Sequence, residues 1–319
     1  MALRGSFAQQ SWALMTRGGM LEVGTSKGVE REETKAKLSA EGRAATSQAI
    51  AVSTVLHSPD TAKDYASTWK LLGEYAKETF GIKSLEKITG EHVAAYLDFK
   101  HECGQAKNTL ESKASHIGKL AAALERWNGK NYDTIREGVE VMRPTIAEAP
   151  EKALADRAYA DPKALVAMLP VGNIWLAGKI LQESGVRITE GTRIAASQLR
   201  GVSTDRHTGK EVGRYEYIGK GGKVGMATMS VETYRELEKA IAEKGTFEVR
   251  QDSFRDALKK IAGAEYNNRS VHGIRYNYAQ ARLHELQAHG MSRDQAKAVV
   301  SKEMNHERPE ITELYCAGK

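Results

Sequence analysis

Three of the six prolines in this 319-residue chain, Pro144, Pro150 and Pro162, fall between residues 143 and 162 among alanines and charged residues. Proline fixes its own φ and lacks an amide hydrogen, so such a cluster interrupts regular structure and reads as a linker. The chain is therefore expected to divide. A flexible N-terminal extension is expected over 1–45, a helical domain over 48–142, a linker over 143–155 and a second domain over 156–319, and the length suffices for two cores.

Helical signals dominate the first half. Ser58-Pro59-Asp60-Thr61 places a cap residue before a proline in the first turn, and Tyr65, Trp69, Leu72, Tyr75 and Ala76 follow at helical spacing. Thr89 opens a second helix carrying Val93, Tyr96 and Leu97, ending at Gly104. A third begins near Asn108-Thr109, with the stripe Leu110, Ala114, Ile117, Leu120, Leu124 and Trp127. Trp69, Tyr96 and Trp127 are read as core. Lys63, Lys107, Lys113 and Lys119 are compatible with phosphate contacts or with a solvated helix face. Residues 1–45, rich in Gly, Ser, Thr and charge, show no strong period and are taken as a tail.

The second half is also mainly helical, with one β signal. Tyr215–Ile218 and Val224–Met229 flank Gly219-Lys220-Gly221-Gly222-Lys223, a strand, glycine turn and strand. The expected fold class is thus mainly α with a small β-hairpin or sheet. Net charge is +6, and its distribution is uneven: 26 Lys and Arg against 21 Asp and Glu after residue 155, and 21 against 20 before it. A basic excess in one domain suits a polyanionic partner. No run approaches the ~20 apolar residues of a membrane span, and residues 1–20, with Arg4 and Arg17, lack a secretory pattern. Cys103 and Cys316 suggest neither a disulfide nor a zinc site. No cofactor and no metal are expected, and the expected location is cytoplasmic, associated with the nucleoid.

Near the C-terminus, His272 and Arg275 stand at i and i+3 on one helix face, which Ser270 is placed to cap. Tyr278, Leu283 and Leu286 continue as a buried stripe. Ser292 to Gln295 forms a capping box for the helix leading to Met304-Asn305-His306, and Pro309 starts the short helix that carries Tyr315, nine residues beyond His306. His272-x-x-Arg275, an Asn-His dipeptide and a tyrosine nine residues on resemble the C-terminal signature of the tyrosine recombinases, the group that includes phage integrases, Xer-type proteins and Cre. Ser184–Glu190 looks like that family's first-arginine box, and the Gly219–Lys223 turn like its lysine-bearing hairpin. The helical region over 48–142 resembles the core-binding, SAM-like domain of these proteins. Each feature alone has a blander reading as surface charge, packing or turn; their order and spacing together carry the resemblance. Arg193 replaces Arg187 as the candidate if the register of the first box shifts.

The resemblance implies a two-domain, C-shaped clamp around duplex DNA, in which 156–319 is the catalytic domain. It implies Tyr315 as nucleophile, Arg187 and Arg275 as guanidinium forks on the scissile phosphate, Lys220 as general acid with Lys223 as the fallback, and His272 and His306 assisting, with Glu190 buttressing the cluster. The covalent 3′-phosphotyrosine would keep the energy of the broken bond, so neither ATP nor metal is needed. The implied partner is double-stranded DNA with an inverted-repeat core site, bound by a homotetramer that exchanges strands through a Holliday junction; a monomer in free solution is compatible with this. Family members usually carry Leu-Gly-His where this chain has Met304-Asn305-His306. Because only four residues follow Tyr315, coupling between protomers is expected to fall to residues 1–45 or to the tyrosine helix. A type IB topoisomerase shares the same chemistry, a hairpin telomere resolvase is a further alternative, and a non-catalytic DNA-binding accessory protein is the reading outside catalysis.

Overall fold

The computed structural model describes residues 2–25, 27–151, 156–219, 222–306 and 309–316. It forms two compact units, Met1–Ala153 and Leu154–Lys319, each with its own apolar core.

In the first unit, α1 (Phe7–Thr16), α2 (Lys27–Ala40) and α3 (Ser47–Ser53) precede four longer or well-packed helices, α4 (Pro59–Phe80), α5 (Gly90–Glu102), α6 (Lys107–Asn128) and α7 (Asp133–Val141), with α8 (Arg143–Glu148) last. Helix α4 begins on Pro59, whose fixed φ suits a first turn, and ends on Gly81 at φ 72°. Trp69 and Leu72 from α4, Tyr96 and Leu97 from α5, and Ile117, Leu120 and Leu124 from α6 are fully buried together. Each such side chain contributes roughly 1.5–3 kcal/mol on burial. Helices α5 and α7 touch through Gly90 and Gly138, where a Cβ on either would strike the other helix's backbone.

Three expectations change here. The stretch taken as a flexible tail is folded: Ser6 and Gln9 form a capping box for α1, and Phe7, Leu14 and Met15 are buried in the core, with the Phe7 ring lying against Gly73 of α4. Glu30 of α2 accepts from the Val55 amide at 2.9 Å and pairs with His57 at 2.7 Å, tying α2 to the segment before α4. The apolar spacing at 7, 14 and 15 exists in the sequence but is diluted by Gln, Ser and Gly. Second, Pro144 starts α8 instead of breaking the chain, and Ile146 and Ala149 join the same core, so the first part of the expected linker belongs to the first unit. Third, Lys119 is neither solvated nor facing outward. It is 3% exposed, and its ammonium donates to the Ala51 and Thr54 carbonyls at the end of α3 while burial pushes its pKa down to about 8. Lys63 and Lys107 do lie outside, paired with Asp60 and Glu151.

The second unit runs α9 (Pro162–Ala167), α10 (Asn173–Ser184), α11 (Ile188–Gly191), β1 (Arg193–Ala195), β2 (Leu199–Thr204), β3 (Glu211–Ile218), β4 (Val224–Ser230), α12 (Val231–Lys244), β5 (Thr246–Glu248), α13 (Gln251–Ala262), α14 (Tyr266–Arg269), α15 (His272–Ala288), α16 (Arg293–Glu303) and α17 (Pro309–Cys316). The hairpin foreseen from sequence is β3 paired with β4, Tyr215 opposite Ala227 and Ile218 opposite Val224. Tyr215 and Tyr217 point into the core while Arg214 and Glu216 point away, the period-2 alternation of a half-buried sheet. Strand β2 extends it to three antiparallel strands in the order β2-β3-β4, and β1 pairs with β5 in a separate ribbon. Neither β2, which carries Arg200-Gly201 and a register shift, nor the two three-residue strands showed an alternation strong enough to read beforehand. Among the described residues no helix is long and apolar enough to cross a membrane.

Candidate active site

The site is assembled where the N-terminal ends of α11 and α15 meet α17. Helix α10 ends on Gly185, at φ 62°, with the Tyr278 ring filling the space a Cβ would need. Two residues on, Arg187 precedes α11, and Glu190 reaches back to it. One carboxylate oxygen accepts from the Arg187 amide at 2.8 Å and the other from its Nη1 at 2.9 Å, with Glu190 itself buried. Arg187 is thereby held at its backbone and at one guanidinium nitrogen by one acid. Arg193, the alternative candidate, lies exposed on β1, in register with Glu248.

Arg275, on the first turn of α15, is only 2% exposed. Its Nη1 donates to the Gly185 carbonyl, and Nη2 donates to the Met304 carbonyl at 2.6 Å and to His306 Nε2 at 2.9 Å. A guanidinium has no acceptor, so His306 Nε2 is the acceptor and its proton resides on Nδ1. That Nδ1 and Arg275 Nε are both buried without a hydrogen-bond partner among the described residues. Buried N–H donors without partners call for an acceptor. The arrangement differs from the free fork expected from sequence: three N–H bonds of the guanidinium go to the Gly185 and Met304 carbonyls and to His306, and Nε stays without a partner among the described residues. Asn305 adopts φ 55°, the left-handed conformation that a glycine would supply and that asparagine tolerates, so the turn leading to His306 is kept without Gly.

His272 Nε2 lies 2.9 Å from the Tyr315 hydroxyl. Tyr315 is 7% exposed, its ring packed on Tyr276 (centroids 4.5 Å apart) and His306 (5.2 Å). Helix α17 is held in place by Glu313, which pairs with Lys297 at 2.9 Å and Arg293 at 3.3 Å on α16, and by Gln280, which donates to the Tyr315 carbonyl at 3.1 Å. Ser270 does not cap α15 as expected. It stands at φ 48° one residue before the actual cap, Val271, and its hydroxyl accepts from the His272 amide at 3.4 Å.

The electrostatics are one-sided. Burial, then Arg275, Arg157 and Arg187, push His272 down to about 4; burial, Arg275, Arg187 and His272 push His306 down to about 4. Both imidazoles are neutral at pH 7. Burial also pulls Arg275 below its ordinary value, with the Tyr315 oxygen opposing and Arg187 adding to the shift. A cavity of about 330 Å3 opens beside this cluster, lined in part by Arg187, Arg255, Tyr266, Ser270, His272 and Arg275. A neutral imidazole on a phenol, next to buried guanidinium and imidazole donors, can take the phenolic proton and receive an anion at the same place.

The structure therefore brings Arg187, Glu190, His272, Arg275, His306 and Tyr315 together. Lys220 lies outside the described residues. Its turn is closed by the Gly219 amide donating to the Lys223 carbonyl at 2.6 Å, and Gly219 sits so close to Glu190 and Asn305 that a Cβ there would lie 3.2 and 3.0 Å from their side chains. The base of the turn thus abuts the cluster, and Lys223 follows on the same turn. Sequence reading missed Arg157, whose charge acts on His272, Arg255 in the cavity wall, and Gln280 behind Tyr315. None belongs to a motif that would mark it in the sequence.

The fold is that of the tyrosine recombinases. Among solved structures the chain is similar to the XerH site-specific recombinase bound to its difH substrate in a pre-cleavage complex, at 14% identity over 99% of this chain and 95% of that one, with a TM-score of 0.54. It is similar at 14% identity and equal coverage to the post-cleavage complex on palindromic difH, with a TM-score of 0.52. The Tn1549 transposon integrase in complex with transposon right end DNA is similar at 12% identity over 91% of this chain and 95% of that one, with a TM-score of 0.50. At such identities the likeness concerns the fold alone. No protein-family model matches the sequence, and no curated protein matches it.

Proposed function

We propose that this protein is a tyrosine-type site-specific DNA recombinase. The observation that carries the reading is the Tyr315 hydroxyl bonded to a neutral His272 inside a pocket of positive charge with two unpartnered N–H donors. The Tyr315 oxygen attacks the scissile phosphorus as His272 Nε2 takes its proton. The new bond is a 3′-phosphotyrosine, and the bond that breaks releases the 5′ oxygen, which receives a proton from Lys220 or, failing that, Lys223 on the β3–β4 turn. Arg187, Arg275 Nε and His306 Nδ1 offset the charge that builds on the non-bridging oxygens. The DNA-bound recombinases with the same fold support DNA as the substrate. Binding of duplex DNA with an inverted-repeat core site, a homotetramer and exchange through a Holliday junction complete the proposal.

The test is incubation with a nicked suicide substrate carrying the cognate site, followed by denaturing electrophoresis. A covalent protein–DNA adduct is expected for the wild type and none for Tyr315→Phe. No adduct, or one that survives Tyr315→Phe, sinks the reading. Adduct formation with supercoil relaxation but no strand exchange assigns the protein to the topoisomerase class instead.

A further inference from the structure

A second buried arginine lies on α15 seven residues after Arg275. Arg275, Tyr278 and Arg282 stand at i, i+3 and i+7, one face of the helix. Arg282 is buried, 8% exposed, and all three guanidinium nitrogens donate to carboxylates. Its Nε donates to both Glu303 oxygens at 3.2 and 3.1 Å, its Nη2 to Glu303 at 2.8 Å and to Asp205 at 2.6 Å, and its Nη1 to Glu285 at 2.7 Å. The Tyr278 hydroxyl donates to Glu303 at 2.8 Å. Lys210, from the same β2–β3 turn as Asp205, pairs with Glu285 at 2.6 Å.

Glu303 is the last residue of α16. The next three are Met304, whose carbonyl accepts from Arg275; Asn305, in the left-handed conformation; and His306, whose Nε2 accepts from Arg275. One face of α15 therefore grips the 303–306 segment twice, through Arg275 at one end and through Tyr278 and Arg282 at the other. Asp205 ties the start of the β2–β3 turn to the same guanidinium. From this geometry we infer that Arg282 is a positioning residue: acting through Glu303, it sets where His306 stands relative to Tyr315. The inference rests on the recombinase reading for its consequence in catalysis, though not for its geometry.

The charges are consistent with a permanent clamp. Burial alone would lower the Arg282 pKa, but Glu303, then Glu285, outweigh it and hold it raised; burial alone would raise Asp205, but the His207 amide and Arg282 hold it lowered. Arg282 and Asp205 thus meet as ions, and their bond ties α15 to the β2–β3 turn.

The test uses the full-length protein with selectively labelled histidine rings, in three variants: Arg282→Met, Glu303→Gln and Tyr278→Phe. Two readouts are taken, the NMR signal and titration of His306 without DNA, and the suicide-substrate rate alongside DNA affinity. Arg275, Arg187 and His272 all face the His306 ring and are unchanged in each variant. Expected are a moved His306 signal with titration shifted up toward the ordinary histidine value, a cleavage rate lower by on the order of 10–100-fold from misplacement of the site, and DNA affinity within about twofold. The Arg282→Met/Glu303→Gln double variant should lose no more cleavage than the worse single one, since both act on one contact. An unmoved His306 in Glu303→Gln and Tyr278→Phe overturns the inference even if Arg282→Met does not fold. So does a cleavage loss that only tracks loss of DNA affinity. If wild type forms no adduct while His306 still moves in the variants, the recombinase reading fails and the positioning role stands.

Discussion

Arg275 and Arg282 are two buried guanidiniums on one face of one helix, yet their surroundings are opposite. Arg282 meets three carboxylates. Arg275 meets two carbonyls and an imidazole, with Arg187 nearby, and its pKa is lowered where that of Arg282 is raised. A buried charge compensated by acids is part of the scaffold. A buried charge left with neutral acceptors and further positive neighbours is poised for an anion that arrives from outside.

The comparison can be broken most directly at Arg282. Arg282→Met strands three acids and should destabilise the protein by about 3–5 kcal/mol in urea unfolding. A loss below about 1 kcal/mol would show that the acids are already solvated and erase the contrast. Arg275→Met should do the reverse, costing less stability than Arg282→Met while lowering the cleavage rate by about 10²–10³-fold in the suicide-substrate assay. Equal effects of the two on stability would contradict the assignment of roles.

Acid provides a subtler test. His272 and His306 titrate near 4 when folded and near 6.5 when unfolded, so between those values the unfolded chain binds more protons and stability falls as pH falls through that window. Urea midpoints should be level from pH 8 to about 6.5 and decline below it, and a His272→Gln/His306→Gln variant should lose part of that decline. Adding a short cognate duplex should raise both ring titrations, since a phosphate beside them favours the charged form; rings unmoved by DNA would place the anion elsewhere. The smallest effect belongs to Asn305. Asn305→Val forces a branched residue to φ 55° and should cost about 1–2 kcal/mol, whereas Asn305→Gly should stay within about 0.5 kcal/mol of wild type.

How much of this was legible beforehand depends on whether a residue works by spacing or by contact. Arg187, His272, Arg275, His306 and Tyr315 could be read because the order and the nine-residue interval to Tyr315 are written along the chain. The caps at Pro59, Ser292 and Pro309 were legible because local backbone chemistry decides them. Arg282 and Lys119 were not, because a cation on a helix is ordinarily solvated, and only the folded chain reveals that Glu303 and Asp205, or the Ala51 and Thr54 carbonyls, converge on it. Residues 7–16 were missed because the partner of their apolar face, α4, lies far along the chain. Strands β1 and β5 are too short to carry a period, and exist because Arg193 to Ala195 and Thr246 to Glu248 find each other across more than fifty residues.

The packing of Tyr315 against Tyr276 and His306 has one more consequence. For an enzyme that works through a phosphotyrosine, the hazard is water: hydrolysis of that linkage would strand a broken chromosome end with no stored energy to reseal it. Tyr315, 7% exposed and packed against two rings, has its oxygen held in one place beside His272. Packing that fixes the tyrosine oxygen would also fix the in-line direction opposite it, and so the one position from which an incoming 5′ end could rejoin the strand ahead of water.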